Sequence, residues 1–255
     1  MRKLTKLAIA CLGSVALLGI SGVSFAEEGP VTANVANGKN IFENGKPDAG
    51  VPACATCHGD KAMGNDAMGA PRLANIGYVY IVKQLTEFSQ DKRKDLTMDQ
   101  MNGIAKALSA QDMRDLAAYE NSFPRDSELS DLKQLEADGT AVGTAYEGQI
   151  LVKYGVYGKV PACMSCHGYN GRGSDPVYPK IGQQKYVYLV NQLTHWRDGS
   201  RANDPLGQMR KVAQHLTDDD IKNAATYLSQ APESTVGDEM EIDNQTVLKN
   251  VKIIH

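Results

Sequence analysis

The chain has 255 residues, 42% of them hydrophobic, with 27 Lys and Arg against 30 Asp and Glu. It is long enough for two domains of ordinary small size. A net charge of −3 argues against a nucleic-acid partner.

The first residues read MRKLTK, then an apolar run from Leu7 to Ile20, then Ser24-Phe25-Ala26 before Glu27. This layout predicts a secretory signal over 1–26 and a periplasmic address. The run is short for a spanning helix, and an uncleaved anchor is the rival reading. Loss of the signal removes Arg2, Lys3 and Lys6 and no acid, so the mature chain carries 24 basic against 30 acidic residues, a net −6. Membrane association is then expected only through a partner or an uncleaved signal.

Further along, Pro52 opens PACATCHG and Pro161 opens PACMSCHG. Four of the five cysteines, Cys54, Cys57, Cys163 and Cys166, lie in these octets. A bare C-x-x-C is compatible with a zinc half-site, a redox pair or a local disulfide. The histidine that follows each pair, His58 or His167, narrows the choice. Two thiols add to the two vinyl groups of one haem, and the adjacent imidazole then sits beneath the ring, able to bind iron. A zinc site would pool the four cysteines and leave both histidines without a role. Two covalently attached haem c groups are expected.

The octets belong to a longer repeat. Its offset is 109 residues at the cysteines and 108 from Pro71 and Pro179 onward. With that register YVYIVKQLTEF (78–88) falls on YVYLVNQLTHW (186–196), and MNGIAKALSAQDMRDLAAYE (101–120) on MRKVAQHLTDDDIKNAATYL (209–228). Two homologous domains follow, 27–125 and 142–232, joined by a polar linker at 126–141 with one short helix. The extension 233–255 has no counterpart. Each domain reads as helical, so the expected class is all-α. Tyr78, Ile81, Val82, Leu85 and Phe88, and in the copy Tyr186, Leu189, Val190, Leu193 and Trp196, recur at helical spacing as core and then as cofactor wall. Ser109-x-x-Asp112 and Thr217-x-x-Asp220 predict capping boxes opening a last helix in each unit.

The sixth iron ligand decides between electron transfer and catalysis. Met209 lies between the second attachment motif and the tail, and the repeat register places Met101 opposite it. Met63, Met68, Met98 and Met113 have no methionine opposite, and Met98, one helical turn away, is the main competitor for Met101. Pro71 and Pro179 are candidate carbonyl acceptors for the second imidazole nitrogen. Phe88-x4-Arg93 matches Trp196-x4-Arg201, which places Arg93, Arg201 and Trp196 as candidate haem contacts, the arginines toward propionate.

Two C-x-x-C-H units in tandem, each with Y-x4-QL-x2-[FW], an arginine, and M-x6-L-[ST]-x-x-D, resemble the two-haem cytochrome c4 family. The resemblance implies two tandem class I cytochrome c domains, each wrapped around one haem. It also implies His58 with Met101 and His167 with Met209 as ligand pairs, and haems facing each other across the domain interface. The expected activity is electron shuttling, not catalysis, from a respiratory or dehydrogenase donor to a terminal oxidase or reductase. A dedicated subunit of a larger complex, or a di-haem enzyme such as a peroxidase, are the alternatives.

Overall fold

A computed structural model describes residues 32–124 and 127–232. The predicted signal at 1–26 and the extension at 233–255 lie outside the described residues. The first repeat carries α1 (Val35–Asn44), α2 (Ala55–His58), α3 (Tyr78–Ser89), α4 (Met101–Lys106) and α5 (Ala110–Asn121). A short α6 (Leu132–Ala137) follows. The second repeat carries α7 (Ala145–Tyr154), α8 (Met164–His167), α9 (Tyr186–Asp198), α10 (Gln208–Ala213) and α11 (Asp218–Gln230). No β-strand occurs among the described residues, only isolated bridges.

Each repeat is organised by the crossing of its first and last helices, α1 over α5 and α7 over α11. The first helix buries a glycine and two apolar residues at i, i+3 and i+4: Gly38, Ile41 and Phe42 in α1, and Gly148, Leu151 and Val152 in α7. The glycine lets the backbones touch. A Cβ on Gly38 would lie 2.0 Å from the Asp115 carbonyl oxygen, and one on Gly148 would lie 1.9 Å from that of Asn223. Polar side chains of the last helix then receive the start of the first. The Asn34 N–H and Asn37 Nδ2 donate to the buried Asp115 carboxylate at 2.7 Å each, and the Thr144 N–H donates to Asn223 Oδ1 at 2.6 Å. Both predicted capping boxes form, at Ser109 with Asp112 and at Thr217 with Asp220.

The predicted stripes of α3 and α9 face inward, with Ile81, Leu85 and Phe88 buried in one and Tyr186, Leu189 and Trp196 in the other. The chain between the repeats is packed on the second. The Tyr186 N–H donates to Ser130 Oγ (2.9 Å), Gln230 Nε2 to the Ser130 carbonyl (2.9 Å), and Tyr186 Oη to the Ala141 carbonyl (2.7 Å).

Sequence patterning did not anticipate α1 or α7. Each is 10 residues long, and its packing face is carried by a glycine, which contributes nothing to an apolar periodicity. The crossing yields a direct expectation. Gly38→Ala and Gly148→Ala each destabilise the holoprotein by about 1–3 kcal/mol or more through overpacking. Gly103→Ala, in α4 with nothing within 4 Å of its added Cβ, is neutral or stabilising by up to about 1 kcal/mol. Denaturant unfolding of the three variants checks this.

Candidate functional site

Each attachment motif is a single helical turn. Cys54 caps α2, the His58 N–H donates to the Cys54 carbonyl at 3.0 Å, and Gly59 ends the turn at φ 77°, a left-handed conformation that suits glycine. Cys163, α8 and Gly168 (φ 72°) repeat it. The i, i+3, i+4 spacing puts two thiols and one imidazole on the same face of the turn.

The imidazoles are buried, and each is held by one hydrogen bond. His58 Nδ1 lies 2.9 Å from the Pro71 carbonyl oxygen, and His167 Nδ1 lies 2.9 Å from that of Pro179. A carbonyl only accepts, so Nδ1 carries the proton and Nε2 keeps its lone pair free for a metal. Burial pushes both imidazoles below the ordinary histidine value, which keeps them neutral near pH 7.

Burial has the opposite effect on the thiols, raising Cys54 to about 12 and Cys163 to about 11. A redox C-x-x-C needs a depressed thiol pKa, so these environments oppose that reading. All four cysteines are free of disulfides. Among the described residues no three or more His, Cys, Asp or Glu side chains converge on a possible metal site, which removes the pooled zinc arrangement.

The two motifs open into one continuous cavity of about 960 Å³. Cys54, Cys57 and His58 line it on one side, and Cys163, Cys166 and His167 on the other. Met101, Met209, Pro71, Pro179, Arg93, Arg201 and Trp196 line it as well. Its walls are largely apolar, with Ile81, Leu85 and Leu108 in the first repeat and Leu189, Val212 and Leu216 in the second.

Met101 opens α4 and Met209 is the second residue of α10, whereas Met98 is 40% exposed. The approach to Met101 is organised by Asp95, whose carboxylate accepts the N–H groups of Thr97, Met98, Gln100 and Met101. Burial opposes ionisation of Asp95, but these amides outweigh it and hold the carboxyl below its usual range. Asn102 ties the same loop to α3, its Nδ2 donating to the carbonyls of Phe88 (2.9 Å) and Arg93 (2.8 Å).

Between the two halves of the cavity lies a cluster that the single-chain patterns did not reveal. Arg93 donates to Gln84 Oε1 (2.7 Å) in its own repeat, and to Tyr188 Oη (2.9 Å) and Gln192 Oε1 (3.1 Å) across the boundary. Arg201 mirrors it with Gln192 Oε1 (2.8 Å), Tyr80 Oη (3.2 Å) and Gln84 Oε1 (3.1 Å). The available signal was the repeat itself, since Tyr80 matches Tyr188 and Gln84 matches Gln192 at the 108-residue offset. The guanidinium groups stack on Phe88 and Trp196, at 4.5 and 4.2 Å from the ring centroids.

These residues fit haem. Arg93 and Arg201 are buried, and their hydrogen bonds go to neutral acceptors, leaving two cations without a carboxylate partner. Arg93 Nε is buried with no hydrogen-bond partner. Haem propionates would supply the anionic acceptors that such a site requires.

An all-helical chain in which two Cys-x-x-Cys-His turns face one apolar cavity is a two-haem c-type cytochrome, an electron-transfer protein. The cytochrome c family profile matches residues 35–122 and 156–232, and the chain belongs to that family, in its two-haem cytochrome c4 branch. A cytochrome c4 of Thiocapsa roseopersicina is 34% identical over 192 residues, covering 72% of this chain and 92% of the relative. A protein of Stutzerimonas stutzeri named thiosulfate dehydrogenase electron acceptor is 34% identical over 205 residues, covering 80% and 91%. The crystal structure of reduced cytochrome c4 from Pseudomonas stutzeri superposes with a TM-score of 0.63 at 28% identity, over 79% of this chain and all (100%) of that one. Thiosulfate dehydrogenase (TsdBA) from Marichromatium purpuratum superposes with a TM-score of 0.69 at 28% identity, over 79% of this chain. This chain spans only 41% of that protein. Two covalent haem c groups are bound, through Cys54 with Cys57 and Cys163 with Cys166.

The cross-repeat cluster generates a test. Arg93→Met and Arg201→Met each remove a buried guanidinium together with its hydrogen bonds to the opposite repeat and destabilise the protein by about 1–3 kcal/mol. Arg93→Lys, which lacks the forked geometry, does not restore it. Denaturant unfolding of the haem-loaded variants provides the measurement.

Proposed function

We propose that the protein is a periplasmic electron carrier that accepts electrons from a thiosulfate-oxidising dehydrogenase and delivers them to a downstream oxidase or reductase. The observation that carries the donor is the similarity, over 80% of the chain, to a protein named as an acceptor of thiosulfate dehydrogenase. The Marichromatium structure supports the same pairing, because this chain's fold recurs within 41% of a protein named thiosulfate dehydrogenase. The signal at 1–26 supports the periplasmic address. No described helix is long and apolar enough to cross a membrane.

In this reading His58 and Met101 ligate the first iron, and His167 and Met209 the second. The matched register of the two methionines supports the assignment; both line the cavity, as does the more exposed Met98. The bound groups supply one-electron exchange between ferric and ferrous iron. The chain's residues do the rest. Prolyl carbonyls fix the imidazoles, the Asp95 loop presents Met101, apolar walls exclude water, and Arg93 and Arg201 hold the propionate edges where the two pockets meet. With Met101 and Met209 as the second protein ligands, no position would be left for substrate, and the protein would act as a carrier rather than a catalyst.

Stopped-flow mixing of the oxidised protein with thiosulfate and a thiosulfate-oxidising haem enzyme tests the donor. Both haems are expected to be reduced, and thiosulfate alone is expected to leave them oxidised. Direct reduction without the enzyme, or indifference to the enzyme, contradicts the proposal. Met101→Ala and Met209→Ala are each expected to remove about half of the methionine-to-iron absorption of the oxidised protein, as for one of two equivalent centres. Met98→Ala is expected to leave it intact.

A further inference from the structure

Among the wall positions at which the two halves of the cavity differ, one exchanges an apolar side chain for a carboxyl on the last helix. Glu120 of α5 lines the first half, and Leu228 of α11, at the 108-residue offset, lines the second. Both are buried, at 3% and 2% exposure. Leucine is the expected residue beside a haem. A carboxyl group in that place is not, since burying it without a partner costs several kcal/mol unless it takes up a proton.

Among the described residues the Glu120 carboxyl has its Oε2 buried without a hydrogen bond. The long-range bond at this residue, from the Asn75 N–H at 3.0 Å, goes to the backbone carbonyl and not to the side chain. Charged groups on the surrounding elements are committed elsewhere. On α1, Glu43 pairs with Lys39 and accepts from Tyr119 Oη. On α3, Lys83 pairs with Glu87. In the loop after α2, Arg72 donates to the Ala74 carbonyl and to Gln183 Oε1, and His58 is tied to Pro71. On α5 itself, Asp112 is held by Lys46 and Ser109, and Asp115 by Asn34 and Asn37. Cys54 is the titratable neighbour that feels the Glu120 charge, and once it is a thioether it no longer ionises.

We propose that Glu120 is a proton-binding site coupled to the oxidation state of the first haem, so that this carrier takes up a proton with one of its two electrons. As one electron arrives from the external donor and ferric iron becomes ferrous, the Glu120 carboxylate forms an O–H bond with one proton from solvent. The charge of the pocket is then unchanged. On oxidation the electron leaves for the acceptor and the proton returns to water. The physical drive is that an ionised carboxylate offsets the extra positive charge of the ferric state, whereas in the ferrous state it is an uncompensated buried anion. Burial alone pushes the Glu120 carboxyl up to about 8, within reach of ordinary pH. Leu228 has no proton to exchange, so the second haem lacks the coupling. The inference rests on a haem in the first pocket and not on the identity of the donor; failure of thiosulfate-driven reduction leaves it standing.

The test is a spectroelectrochemical titration of the two-haem protein from about pH 6 to about pH 9.5, a range that brackets the raised carboxyl. One of the two potentials is expected to fall as pH rises, by at most about 59 mV for each tenfold loss of protons, the one-electron equivalent of a tenfold change. The other is expected to stay flat. Glu120→Gln, which keeps shape and polarity but cannot ionise, is expected to flatten the sloping potential and leave the other unchanged. A slope that survives in Glu120→Gln assigns the proton to another group, such as a propionate, and overturns the proposal. So do two flat potentials in the unmodified protein. Should the variant fail to fold, infrared redox-difference spectra of the unmodified protein decide the matter. A carboxylic C=O band that grows on reduction and shifts with isotope-labelled glutamate supports the coupling, and its absence overturns it.

Discussion

Each haem site depends on one hydrogen bond, from a histidine Nδ1 to a prolyl carbonyl 2.9 Å away. That bond selects the tautomer, aims the remaining lone pair into the cavity and anchors the loop on which the proline rides. The loop is fastened at its other end as well, since the N–H of Gly64 or Gly173 donates to the carbonyl of the same histidine. Attachment turn, loop and wall form one rigid unit. A rigid unit of this kind suits electron transfer, because ligands that do not move between redox states cost little reorganisation.

The second organising feature is the placement of two buried cations where the halves of the cavity meet. Arg93 and Arg201 each bond to both repeats, and Gln84 Oε1 and Gln192 Oε1 each accept from both arginines. Further links lie alongside. The Arg72 N–H donates to Gln184 Oε1 at 2.6 Å, Gln184 Nε2 returns a bond to the Arg72 carbonyl at 2.9 Å, and the Val187 N–H donates to Asp66 Oδ1 at 3.0 Å. The repeats therefore meet through hydrogen-bonded polar side chains around the cavity instead of through a purely apolar seam. The same guanidinium groups that fix the repeats against each other also line the cavity that the two haems would share.

Much of this arrangement was legible because the chain is duplicated. Registering one copy on the other separated Met101 and Met209 from methionines such as Met63 and Met113, both of which are buried core. The same register aligned the α3 and α9 stripes and the two capping boxes, where apolar spacing and cap chemistry are local properties. Three features were not legible. The α1 and α7 helices pack through glycines, which leave no apolar signal. Arg93 and Arg201 were placed near haem, but their bonds to the opposite repeat depend on how two separate surfaces meet, which no local pattern encodes. Glu120 reads as a polar residue near the end of an amphipathic helix, and only the fold turns it inward.

The central claim is that both irons are closed on both sides, so that the protein moves electrons without performing chemistry on a small molecule. Exposure of the fully reduced protein to carbon monoxide tests it most directly, because carbon monoxide binds ferrous haem only where an axial position is open or readily vacated. The account predicts a visible spectrum unchanged by the gas at neutral pH for both haems. A carbon-monoxide-bound spectrum at either haem would contradict it and would identify that centre as one able to bind substrate.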